Sequence, residues 1–138
     1  MIKLDNIRKQ LYTQEYYKNL DFYIETKNKV LKRLIKRFYS EGFAGPGAVA
    51  LDIGCGRGEL VYRLSKDCSR VYGLDYSENA LSFSKKSIGG LPEYIKNKIC
   101  LLCADACQLP FKNNTIDHIF SLDVFEHLTQ DELACLVE

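Results

Sequence analysis

Three glycines and an aspartate carry the first chemistry in this sequence. Gly54, Gly56 and Gly58 alternate with Cys55 and Arg57, directly after an apolar run holding Val49, Leu51 and Ile53. A tight turn with φ > 0, or a ligand pressed against bare backbone, calls for glycine because any Cβ would collide. Residues 59–66 follow with Leu60, Val61 and Leu64 on one stripe. The turn should therefore feed a helix whose first N–H groups face whatever sits above it. This is the layout of a nucleotide-type site. A dinucleotide fingerprint would read G-x-G-x-x-G, with the third glycine packing helix on strand. Here Glu59 holds that place, and Asp52 lies two residues ahead of Gly54. A carboxylate there repels a pyrophosphate and attracts an ammonium, which argues against an NAD-dependent oxidoreductase.

With Asp52 included, LDIGCGRG closely resembles motif I of the class I S-adenosylmethionine-dependent methyltransferases. The next acid, Asp75, comes 17 positions after Gly58, about the length of one helix and one strand. Its carboxylate should emerge at the same sheet edge as the glycine turn and accept both hydroxyls of a ribose. This agrees with the family's motif II in position and residue type. A helix N-cap is the other use for Asp75, although Ser77 already offers one. Tyr76 has a flat face to lay against an adenine. Asp105 resembles the family's motif III acid, which implies that its carboxylate receives the adenine amino group while the N–H of Ala106 meets a ring nitrogen. The resemblance covers residues 48–138 and implies S-adenosylmethionine as cofactor, bound by Asp52, Gly54, Cys55, Gly56, Gly58, Asp75, Tyr76, Asp105, Ala106 and Leu122. It also implies in-line methyl transfer to an acceptor of the small-molecule type.

The remaining polar cluster is DVFEHL at residues 123–128. Asp123, Glu126 and His127 are spaced i, i+3, i+4, which on a helix is one face. Three readings stand. His127 hydrogen-bonds nearby backbone, or acts as general base towards a hydroxyl or amine. In the third, the trio binds a metal, as in RNA 3′-terminal 2′-O-methyltransferases, which need a further ligand.

These residues require a parallel sheet to present them. Strands are expected at residues 49–53, 70–74, 99–103 and 115–122, with helices at 59–66 and 77–88. In the order 3-2-1-4 the first and fourth strands flank the switch point, so Gly54 and Leu122 should border the methionine end of the cofactor. The fold class is a Rossmann-like, doubly wound three-layer α/β/α sheet. Residues 45–138 form its core, and residues 1–44 a helical extension. Within that extension Val30, Leu31, Leu34, Ile35 and Phe38 mark a helix over residues 24–40. The tyrosines at residues 14–17 either pack on the core or face the ligand. A complete class I domain has seven strands, whereas this sequence stops in the helix after strand four. The expectation is a fragment of a longer enzyme; a homodimer covering the open edge and a non-catalytic binding module are the alternatives.

At 138 residues with formal net charge +1, composition bounds little beyond a single domain with a real core. The charge is unevenly placed. Residues 1–40 hold 10 Lys and Arg against 4 Asp and Glu, net +6, leaving net −5 for the rest. The basic segment is read as the wet face of a helix rather than a nucleic-acid surface. No apolar run approaches the roughly 20 residues of a membrane span, and no signal peptide opens the sequence. Six cysteines invite a disulfide framework, and Cys100, Cys103 and Cys107 a metal cluster. Cys100 and Cys103 fall in an expected buried strand and point to opposite faces. They are read as reduced core thiols of a cytoplasmic protein.

Overall fold

The computed structural model describes residues 21–42, 45–122 and 124–137. The tyrosines at 14–17 and Asp123 lie outside the described residues. Four parallel strands form one sheet in the order β3-β2-β1-β4: β1 is Val49–Ile53, β2 Arg70–Asp75, β3 Ile99–Cys103 and β4 His118–Ser121. The helices are α1 (Asp21–Ser40), α2 (Glu59–Ser65), α3 (Glu78–Gly89), α4 (Glu93–Lys96) and α5 (Gln130–Val137).

Alternation along β1 divides the core into two layers. Ala50 faces a cluster with Val71 and Phe120 that is covered by Ile35 of α1, Leu60, Val61 and Leu64 of α2, and Leu81 of α3. Leu51, Ile53 and Leu74 face the other way, against Leu109, Phe111, Ile116 and Leu136 of α5. Helices α2 and α3 share a face because the crossovers β1→β2 and β2→β3 run in one direction with one hand. β4 joins the sheet on the far side of β1, and the helix after it packs on the opposite face. That reversal opens the crevice at the carboxyl ends of β1 and β4. The expected doubly wound α/β arrangement is the one observed.

Specific side chains pin the ends of these elements. Asp117 Oδ2 accepts the Val49 N–H at 2.7 Å, and Asp117 N–H donates to the Val49 carbonyl at 2.9 Å, setting the register of β4. The Phe38 ring lies 5.2 Å from that of Phe120, which seats α1 on the sheet. Helix α5 starts with a reciprocal cap: Glu132 N–H donates to Thr129 Oγ1 at 3.3 Å while Glu132 Oε2 accepts the Thr129 N–H at 2.7 Å.

Three local expectations change. Residues 93–96 form a short helix inside the expected loop, too brief to show periodicity. The segment holding Glu126 and His127 is a three-residue 3-10 turn, Phe125–His127, and not a regular helix. Cys103 is exposed rather than part of the core, because β3 is an edge strand and Cys103 ends it.

Gly73 shows how closely α2 lies on the sheet. A Cβ there would come within 2.8 Å of both Val61 Cγ2 and Leu101 Cδ2, and 3.0 Å of Cys55 Sγ. Gly73→Ala should therefore cost about 1–3 kcal/mol through overpacking. A lower urea midpoint with unchanged m-value would show it, and an unchanged midpoint would refute the close packing described.

Candidate functional site

The site begins where β1 ends. The N–H groups of Gly54 and Cys55 both donate to the Leu74 carbonyl, at 2.7 and 3.0 Å, so the turn stays tied to β2 after leaving the sheet. Gly54, Gly56 and Gly58 all have positive φ, at 73°, 54° and 83°. At two of them space is also exhausted. A Cβ on Gly54 would meet Val124 Cγ2 at 2.2 Å, and one on Gly58 would meet Ser84 Oγ at 3.0 Å. Arg57 points away from the turn, its guanidinium 5.8 Å from the Phe83 ring centroid and its Nε 4.0 Å from Glu59 Oε1.

Asp75 organises the turn. Its Oδ2 accepts the Gly56 N–H at 2.9 Å and its Oδ1 the Ser77 N–H at 2.8 Å. Ser84, fully buried on α3, donates its hydroxyl to the Gly56 carbonyl at 2.7 Å. Both backbone polar groups of Gly56 are thus held, the N–H by a carboxylate and the carbonyl by a hydroxyl. Ser77 itself caps α3, its side chain accepting the Ala80 N–H at 3.2 Å. Each Asp75 oxygen keeps a further lone pair for a donor above the sheet edge.

Asp52 is different. It is 3% exposed, and its carboxylate accepts no hydrogen bond from any described residue. Burial, followed by the charges of Asp75 and Glu59, pushes its pKa well above the usual carboxylate range. Burial also raises Asp75, opposed by the hydrogen bonds from Ser77 and Gly56. The Cys55 thiol lies in the same field, raised by burial and then by Asp52 and Asp75. A cation entering this place would relieve the repulsion, and a phosphate would add to it.

Asp105 stands beyond the carboxyl end of β3, which is paired with that of β2. The Ala104 N–H donates to the Asp75 carbonyl at 3.2 Å, so the strand ends carrying both acids are joined. Asp105 is exposed, and its Oδ1 accepts the Cys107 N–H at 2.9 Å. Tyr76, 38% exposed, follows Asp75 at this edge. Ala106 is half-buried among the residues packed on Leu51 and Leu74. Leu122 packs against the opposite cluster, beside Phe120. His127 is exposed, with Nε2 3.7 Å from Glu126 Oε1. Among the described residues no three His, Cys, Asp or Glu side chains converge to hold a metal.

Sequence reasoning missed two contributors. Ser84 falls within the helix expected at residues 77–88, but that it would clamp Gly56 had no sequence signal. Val124, packed over Gly54, had none either. Ser121 Oγ, at the end of β4, is cut off from solvent and has no hydrogen-bond partner among the described residues.

Fold and turn together define a nucleoside-binding α/β domain. A family model described as a methyltransferase domain matches residues 51–138, and the chain belongs to this family. Demethylmenaquinone methyltransferases of Bacillus cereus and Bacillus mycoides are 36% and 34% identical to it over 77 residues. That match covers 54% of this chain and 31% of each relative. Magnesium protoporphyrin IX methyltransferase of Synechocystis PCC 6803, solved with S-adenosylmethionine bound, is 26% identical with a TM-score of 0.66. There the alignment covers 79% of this chain and 50% of the other. The methyltransferase domain of bacterial CtHen1-CN shares the fold, with 24% identity and a TM-score of 0.67 over 80% of this chain and 57% of its own. The matches span about a third to a half of the length of these methyltransferases.

The raised pKa of Asp52 has a stability consequence. Its folded value lies above the unfolded value of about 3.9, so ionisation favours the unfolded chain. Stability is then full below that value and falls as pH rises through the folded one. Asp52→Asn should raise the thermal midpoint of the ligand-free protein at pH 7 by several degrees, with the gain vanishing near pH 3. Equal midpoints at both pH values would contradict this.

Proposed function

We propose that this chain binds S-adenosylmethionine at the glycine turn and serves methyl transfer to a small-molecule acceptor. The observation that carries the reading is Asp52: a buried carboxylate with no hydrogen-bond donor among the described residues, next to Asp75 and Glu59. Such a site accepts a cationic amino-acid end and a neutral nucleoside, and rejects a diphosphate. When bound, S-adenosylmethionine supplies a methyl group already activated on sulfonium.

The chain's part is placement and exclusion of water. Asp52 holds the ammonium, directly or through water. The backbone of Gly54, Cys55, Gly56 and Gly58 makes room for the sulfonium chain, with Leu122 at its border. Asp75 accepts the two ribose hydroxyls on the lone pairs that Gly56 and Ser77 leave open. Asp105 accepts the adenine amino group, the Ala106 N–H meets a ring nitrogen, and Tyr76 lies along the base. His127 takes the acceptor's proton as general base. Residues 45–138 constitute this cofactor-binding core and residues 1–44 an N-terminal extension to it. The similarity to demethylmenaquinone methyltransferases favours a small organic acceptor over a nucleic acid.

Asp75→Ala should weaken S-adenosylhomocysteine binding about ten- to a hundredfold, because two charge-assisted bonds disappear and the Gly56 N–H is left unpaired. Isothermal calorimetry on the full chain reads this directly. An unchanged affinity would remove Asp75 from the ribose.

A further inference from the structure

Two cysteines outside the cofactor pocket meet across the second layer of the domain. Cys107 lies in the loop after β3, two residues past Asp105; Cys135 is in the last helix, α5. The Cys135 thiol donates to the Cys107 carbonyl at 3.4 Å, and the Cys107 thiol to the Glu132 carbonyl at 3.5 Å. Each sulfur therefore meets the backbone of the segment that carries the other, which holds the two cysteine-bearing segments side by side. Cys135 is exposed and Cys107 half-buried, so Cys135 is the more accessible of the two.

We propose that Cys107 and Cys135 form an oxidisable dithiol site, converted by a small-molecule disulfide into an intramolecular disulfide that staples α5 to the loop carrying Asp105. The order of events follows from the surroundings. Burial, then Cys135, Asp105 and Glu132, push the Cys107 thiol up to about 11, so it is the poorer first nucleophile. The Cys135 thiolate attacks the oxidant's S–S bond, forming a mixed disulfide and expelling one thiolate. Cys107, as thiolate, then attacks Cys135 Sγ and expels the second. Two cysteine thiols lose two electrons, the oxidant's disulfide gains them, and the two cysteine protons end on the two released thiols. Since Asp105 Oδ1 accepts the Cys107 N–H, the new bond would fix the neighbour of a residue at the sheet edge.

The test uses the full chain and oxidised glutathione. The expected product has lost two hydrogens, and its peptide map joins the fragments containing Cys107 and Cys135. Cys103, also exposed, is directed at the Tyr76 carbonyl at 3.7 Å and serves as the internal comparison. Cys107→Ser should retain a glutathione adduct on Cys135. In the oxidised wild type, amide exchange across residues 130–137 should slow by about threefold or more as opening of α5 is suppressed. A stable glutathione adduct on Cys135 of the wild type, with Cys107 still open to alkylation, would overturn the proposal. So would a disulfide from Cys135 to any other cysteine, or unchanged exchange in the crosslinked protein.

Discussion

The carboxylate of Asp75 joins parts of the chain that otherwise touch only through the sheet. One oxygen takes the N–H of Gly56 from the turn after β1, and the other takes that of Ser77 at the start of α3. Its own carbonyl takes the N–H of Ala104 from the loop after β3. Three carboxyl-end connections thus converge on one residue. The glycine turn adopts left-handed backbone as it presents the Gly56 N–H, and Ser84 secures the Gly56 carbonyl in the next peptide group. Remove the carboxylate and the turn loses the partner that aims it.

That arrangement has an electrostatic cost. Asp52 and Asp75 are both withdrawn from water, and the field of each acid disfavours a second negative charge nearby. The free domain tolerates this because Asp75 is stabilised by backbone N–H groups while Asp52 is shifted towards its neutral form. In the binding mode proposed above, a ligand bearing an ammonium group would reverse the balance, stabilising the ionised form of Asp52 as it binds. The electrostatic cost in the pocket and the proposed preference for a cationic ligand would then have the same cause.

Much of this was readable in the sequence because the signals were local. Alternating glycines after an apolar strand, an acid at the end of the next strand, and Ser77 before a helical stripe each have one economical structural solution. The strand order 3-2-1-4 agreed with the resemblance, and the sheet shows it. What escaped depended on contacts between distant segments. Neither Ser84 reaching Gly56, 28 positions away, nor Val124 closing over Gly54 leaves a pattern in a single window. Cys103 was misread for a related reason: its strand is apolar, but its position at the sheet edge and strand end exposes it. Residues 123–128 suggested helical spacing, yet Thr129 and Glu132 form the cap that starts the helix later.

On the proposed function, the turn at residues 54–58 receives an amino-acid–bearing nucleoside and not a dinucleotide. Parallel titrations of the wild-type chain with S-adenosylhomocysteine and with NAD at neutral pH test it most directly. Saturable binding of the first, with the second at least about a hundredfold weaker, a gap of roughly 2.7 kcal/mol, is the predicted result. NAD binding as tightly as S-adenosylhomocysteine would contradict it.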